Sequence, residues 1–114
     1  MRRAAKADAN QPEIVAALRA AGVTVQPLHT VGSGCPDLLC GFRGVNVILE
    51  VKDGSLPPSA RKLTPDQVQW HADWRGQCAV VTSAEEALAV FGLRGSEWQS
   101  IGALAAKLAR NAGK

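Results

Sequence analysis

The chain has 114 residues, of which 46% are hydrophobic and 20% charged. That is enough for one compact domain burying roughly two thirds of its unfolded surface, and too little for two. The balance excludes a disordered or collagen-like chain. No apolar run approaches the ~18 residues that would span a bilayer, so no membrane partner is expected. The basic start Met1-Arg2-Arg3-Ala4 is not followed by an apolar segment of signal-peptide type. Three cysteines, an odd number, then read as reduced thiols in a cytoplasmic setting, and a zinc site is not expected from them. Residues 1–10 carry three positive groups and one negative, residues 11–93 six and eight, and residues 94–114 four and one. A mildly acidic middle therefore lies between basic ends, which either attract nucleic acid nonspecifically or are simply solvated.

In chain order, Asn10-Gln11-Pro12-Glu13 has the form of a capping box, and Ile14, Ala17, Leu18 and Ala21 follow at helical spacing up to Gly22. Val23-Thr24-Val25 opens a strand running toward His29. Gly32-Ser33-Gly34 turns the chain, and Pro36 to Gly41 forms a second short strand. Arg43-Gly44 is a tight turn into a third strand, Val45 to Lys52, with Val45, Val47, Leu49 and Val51 on one face. Asp53 to Leu63 is a polar loop. Thr64-Pro65-Asp66-Gln67 is the strongest helix start in the chain, with Thr as cap, Pro at the first position and Gln three after the cap. That helix is predicted to reach about Arg75, with Gly76 ending it. Cys78 to Thr82 is a fourth strand, and Ser83 caps a helix stopped by Gly92. Trp98, Ile101, Ala105 and Leu108 then place an apolar stripe on a last amphipathic helix. The order α-β-β-β-α-β-α plus a C-terminal helix indicates a mixed α/β fold.

Charged residues gather at one place in this plan. A hairpin turn centred on Arg43-Gly44 brings Asp37 opposite Glu50, and Lys52 shares the face of Glu50 two residues on. Neighbouring carboxylates repel, and a bound divalent cation is the usual physical reason to keep them together. Lys52 beside them can hold a water or stabilise charge developing on a phosphate.

Gly34-Cys35-Pro36-Asp37 followed by Glu50-Val51-Lys52 resembles the PD-(D/E)XK signature of metal-dependent nucleases. Leu63-Thr64-Pro65-Asp66-Gln67 makes the chain resemble more narrowly the VRR-NUC (virus-type replication-repair nuclease) branch, over residues 10–92. The resemblance implies a restriction-endonuclease-like core at 10–92; charge and the apolar stripe add, outside it, a basic N-terminal extension at 1–9 and a C-terminal amphipathic helix and basic tail at 93–114. The resemblance further implies Mg²⁺ or Mn²⁺ held by Asp37, Glu50, the backbone carbonyl of Val51 and Glu13, with Lys52 as the catalytic lysine and Gln67 as the glutamine of the following helix. The activity implied is hydrolysis of DNA phosphodiesters, selective for four-way or branched structures, in replication, repair or recombination in a bacterial or phage-infected cell. A homodimer formed through the Trp98–Leu108 stripe would set two sites on two strands, the alternative being that the stripe folds back on its own domain.

Each residue also has a plainer role. Glu50 and Lys52 form an ordinary strand pair if Asp37 is set aside, and Glu13 and Gln67 are both explained by capping. His71, Trp70 and Trp74 share a helical face and are assigned to packing rather than to base stacking. Arg61 and Lys62 precede the Gln67 helix and are expected on DNA phosphates, against the alternative of a solvated loop. A nonenzymatic DNA-binding or adaptor subunit on the same fold is the competing function. An RNA-cleaving enzyme is disfavoured, since the chain has no Tyr and only two unpaired-looking His.

Overall fold

In a computed structural model, residues 8–93 are described, and they form a four-stranded mixed sheet with three α-helices. The helix α1 (Gln11–Ala20) leads into strand β1 (Thr24–Pro27). Strands β2 (Leu38–Phe42) and β3 (Val45–Val51) make the hairpin, and α2 (Pro65–Asp73), β4 (Cys78–Val81) and α3 (Ala84–Val90) complete the order. The strands lie β1-β2-β3-β4, with the first two pairings antiparallel and β3–β4 parallel. A parallel neighbour requires a crossover, and α2 supplies it. The C-terminal helix expected around Trp98–Leu108, and with it the dimer contact, lies outside the described residues, as does most of the basic N-terminal extension. Among the described residues, no helix is long and apolar enough to cross a membrane.

Alternation on the strands separates the two faces of the sheet. Val47, Leu49 and Val51 of β3 join Leu38, Cys40, Val25 and Val81 in an apolar core under α1 and α3. Val45, assigned by periodicity to the same face, opens β3 and is exposed. Ile14, Ala17 and Leu18 are the buried stripe of α1, and Ala84, Ala87 and Leu88 that of α3. Burial pushes the Cys40 thiol up to about 11, so it behaves as a small apolar side chain. The other face is different: α2 lies against it without a single buried residue.

Local details depart from the sequence reading in three places. Asn10 makes no capping bond to its own helix. Its Nδ2 instead donates to the carbonyls of Lys52 and Thr82, both at 3.1 Å, tying the start of α1 to the ends of β3 and β4. The predicted Asn10–Glu13 capping box therefore does not form. The loop after β3 contains a 3₁₀ turn, Pro58–Arg61. Finally α2 stops at Asp73 rather than Arg75, because Trp74 takes an extended backbone.

Candidate active site

The hairpin register places Leu38 opposite Leu49, which brings Asp37 opposite Glu50 one step further out. Asp37 sits just before β2, where its N–H donates to the Leu49 carbonyl at 3.1 Å. Its Oδ2 accepts from the Val51 N–H at 2.7 Å, so the carboxylate continues the ladder where the strand pairing ends. Leu28 N–H donates to the Asp37 carbonyl at 2.7 Å, locking the same residue from the β1 side.

Glu50 is the unusual group. It lies on the face opposite the apolar core yet is only 2% exposed. Burial, and then the neighbouring Asp37 carboxylate, push its pKa well above the ordinary carboxylate range, with Lys52 pulling the other way. Gln67 reaches it from α2. The Gln67 Nε2 donates to Glu50 Oε2 at 3.3 Å, while its Oε1 accepts from Lys52 Nζ at 2.8 Å. That Oε1 also accepts from the Thr64 N–H at 2.9 Å, and the Gln67 N–H donates to Thr64 Oγ1. The capping role and the site role considered for Gln67 are thus carried by one amide. Glu50 Oε1 has no hydrogen-bond partner, and His71 Nε2 stands 3.8 Å from it.

Glycine sets how close α2 can come. Gly34 has φ +79°, and a Cβ there would land on the Asp66 carbonyl in the first turn of α2. The loop leading to Asp37 and the helix carrying Gln67 can therefore touch backbone to backbone only without that side chain.

Asp37, Glu50, Val51, Lys52 and Gln67 all line one cleft of about 260 Å³. Asp8 and His29 line it as well, and neither stood out in the sequence. Burial and then the Asp37 charge raise the pKa of Asp8. No local pattern marks Asp8, because it precedes α1 and reaches the cleft only through the packing of that helix. Glu13 goes the other way: it is exposed, and it is absent from the cleft wall. Gln11, Ile14 and Leu18 take the inward phase of α1, and position 13 falls outside it. The expected grouping of Glu13 with Asp37 and Glu50 is corrected accordingly. Arg61 and Lys62 lie between β3 and α2 and do not line the cleft. Arg61 Nε donates to the Leu56 carbonyl of its own loop at 2.9 Å.

Among the described residues, no group of three or more His, Cys, Asp or Glu side chains is gathered tightly enough to hold a metal ion unaided. The donors at hand are Asp37, Glu50 and Asp8 with the Val51 backbone, all oxygen donors on one cleft. Such a set suits a hard divalent cation rather than zinc. A buried carboxylate oxygen without a partner, at Glu50 Oε1, fits the same reading. No family model, curated protein or solved structure matches the chain.

Proposed function

We propose that this chain is a metal-dependent deoxyribonuclease of the PD-(D/E)XK type, resembling the VRR-NUC branch, that hydrolyses phosphodiesters in branched DNA. The observation that carries the reading is the linkage Lys52–Gln67–Glu50, with Asp37 held beside it by the Val51 N–H. A structural ion pair on a strand has no need of a buried, partly unpartnered carboxylate next to a second one, and removing that charge would normally be favourable.

A phosphodiester is anionic and repels hydroxide, so its hydrolysis needs charge neutralisation and a deprotonated water. Mg²⁺ or Mn²⁺ held by Asp37, Glu50 and the Val51 carbonyl, with Asp8 alongside, supplies both kinds of chemistry when bound. The remaining work belongs to the chain. Asp37 is fixed by its bond from Val51, so one carboxylate is oriented before any ligand arrives. Gln67 holds the Lys52 ammonium through Oε1, aiming a positive charge into the cleft where a phosphate oxygen would gain charge. Through Nε2 the same amide orients Glu50, so Glu50 of β3 and Lys52 just beyond it answer to one side chain of α2.

The test is incubation with Mg²⁺ or Mn²⁺ and labelled duplex, single-stranded, flap and four-way DNA, beside Lys52→Ala. Metal-dependent cutting that the variant loses is the expected result, with branched substrates cut fastest. Binding without cutting on any substrate would replace the nuclease by the nonenzymatic DNA-binding reading. Size-exclusion measurements on the same sample decide whether the active species is the expected homodimer.

A further inference from the structure

Beside Gln67 and His71, which face Glu50, α2 and its C-cap carry two indoles. Trp70 and Trp74 are stacked, with ring centroids 4.7 Å apart and planes 16° from parallel. Trp70 is half-buried and Trp74 is 44% exposed, so the pair is no part of the core to which its spacing assigned it. The far end of Trp74 rests over Gly76, where a Cβ would come within 2.9 Å of the indole Nε1. The ring thus lies against both the Trp70 indole and the backbone at Gly76.

A groove of about 250 Å³ runs along this pair, and its wall includes Ser33, Asp66 and Asp73. Ser33 and Asp66 also belong to the wall of the candidate active site, so the two concavities adjoin. The volume lies below the ~300–1,000 Å³ of a site for a drug-sized ligand and has room for one ring system, not for a duplex. Both Asp73 oxygens already accept from Gln69 Nε2 at 3.0 Å, whereas the Asp66 carboxylate on the groove wall repels a phosphate and can accept a hydrogen bond from the N–H groups of a nucleobase edge. Every base offers at least one such donor on its pairing edge, and that edge is available only when the base is unpaired. Indole faces stack on any base, which gives affinity without sequence preference.

We infer that Trp74, backed by Trp70, is a stacking site for one unpaired nucleobase of a DNA substrate next to the point of cleavage. This inference rests on the nuclease reading for its substrate and narrows it: the preferred DNA carries a single-stranded branch or an unpaired base, not continuous duplex.

Binding of the full-length chain is measured in EDTA, so that nothing is cut, with a short single strand, a flap and a blunt duplex. Trp74→Ala is expected to weaken the single strand and the flap roughly tenfold and to leave the duplex unchanged, with only the small fall in melting temperature that losing the Trp70 stack brings. Trp74→Phe is expected to keep most of the affinity. Tryptophan emission of the unaltered chain should be quenched more by the single strand than by the duplex, a readout that needs no variant. Equal losses on all three DNAs, no loss on any, or an emission change that follows protein concentration rather than DNA would overturn the inference, the last by assigning the pair to a contact between copies. The two readings fail separately. Cutting that depends on Lys52 but is indifferent to Trp74 on flap and duplex alike overturns only the stacking site. Trp74-dependent binding with no cutting on any DNA overturns only the nuclease.

Discussion

The two faces of the sheet are built on different principles. Under α1 and α3, the β2, β3 and β4 side chains meet apolar partners and are sealed from water. Under α2, no helix residue is buried, and the helix is held by its capping box, by Gln67 and by the backbone approach at Gly34. Burial is nondirectional and tolerates repacking, whereas a polar linkage specifies which atoms sit where. Stability is thus concentrated on one face and orientation on the other, and substitutions should separate them.

The largest separation should come from Leu49 in β3 and Lys52 just past its end, three positions apart. Leu49→Ala empties a fully buried position and is expected to cost about 2–5 kcal/mol, much of the stability of a small domain. Thermal or urea unfolding checks it. Lys52→Ala should instead reduce cleavage by about 10²–10³-fold, the scale for losing one charge-stabilising group, while the unfolding curve moves little. A large stability loss from Lys52→Ala would erase the contrast between the faces.

Gly34→Ala tests the approach of α2. Both the positive φ and the clash with Asp66 oppose it, so the helix must shift, and the rate should drop before the apolar core is disturbed. Gln67→Ala removes the reciprocal cap and both site contacts, with an expected cost of about 1–2 kcal/mol and a loss of cleavage; Gln67→Glu would retain a cap but place another negative charge beside Glu50.

The last contrast is in the pH dependence. Glu50 has a raised pKa in the fold and an ordinary one in the unfolded chain. Between those values the native state holds the extra proton, so metal-free stability should fall as pH rises from the ordinary carboxylate range toward the raised native value. Glu50→Gln should flatten that slope in melting experiments across pH. Mg²⁺ or Mn²⁺ should raise the melting temperature by binding the native state, and Asp37→Asn should abolish the rise. Asparagine is the informative choice, because it keeps a side-chain oxygen for the Val51 N–H, which alanine would leave unpaired.

Local chemistry was legible wherever neighbours in space are neighbours in sequence or in a tight hairpin. Thr64-Pro65-Asp66-Gln67 states its own capping box, since every partner lies within one turn. Asp37 and Glu50 meet because strand alternation and the Arg43-Gly44 turn leave the register little freedom. At Asn10 the same local logic failed, because two carbonyls at the ends of β3 and β4 compete for its amide and hold it. Glu13 and Asp8 exchanged importance for a related reason: the phase of α1 follows its buried stripe, and that stripe turns Glu13 outward. The indoles of α2 had the spacing of core residues, but α2 ends at Asp73 and Trp74 leaves it on an extended backbone, so the helical phase no longer carries that ring onto the sheet.

The amino-acid sequence by itself determined the strand and helix types, the hairpin register and the pairing of Asp37 with Glu50, since these follow from periodicity, turn residues and short-range hydrogen bonds. Only the tertiary structure decided that Glu50 is buried, that one Gln67 amide spans Lys52 and Glu50, that Asp8 rather than Glu13 faces the cleft, and that Trp74 is exposed. Each of those depends on how α1 and α2 dock on the sheet, and docking is a balance of burial and polar contacts between segments that no local spacing encodes.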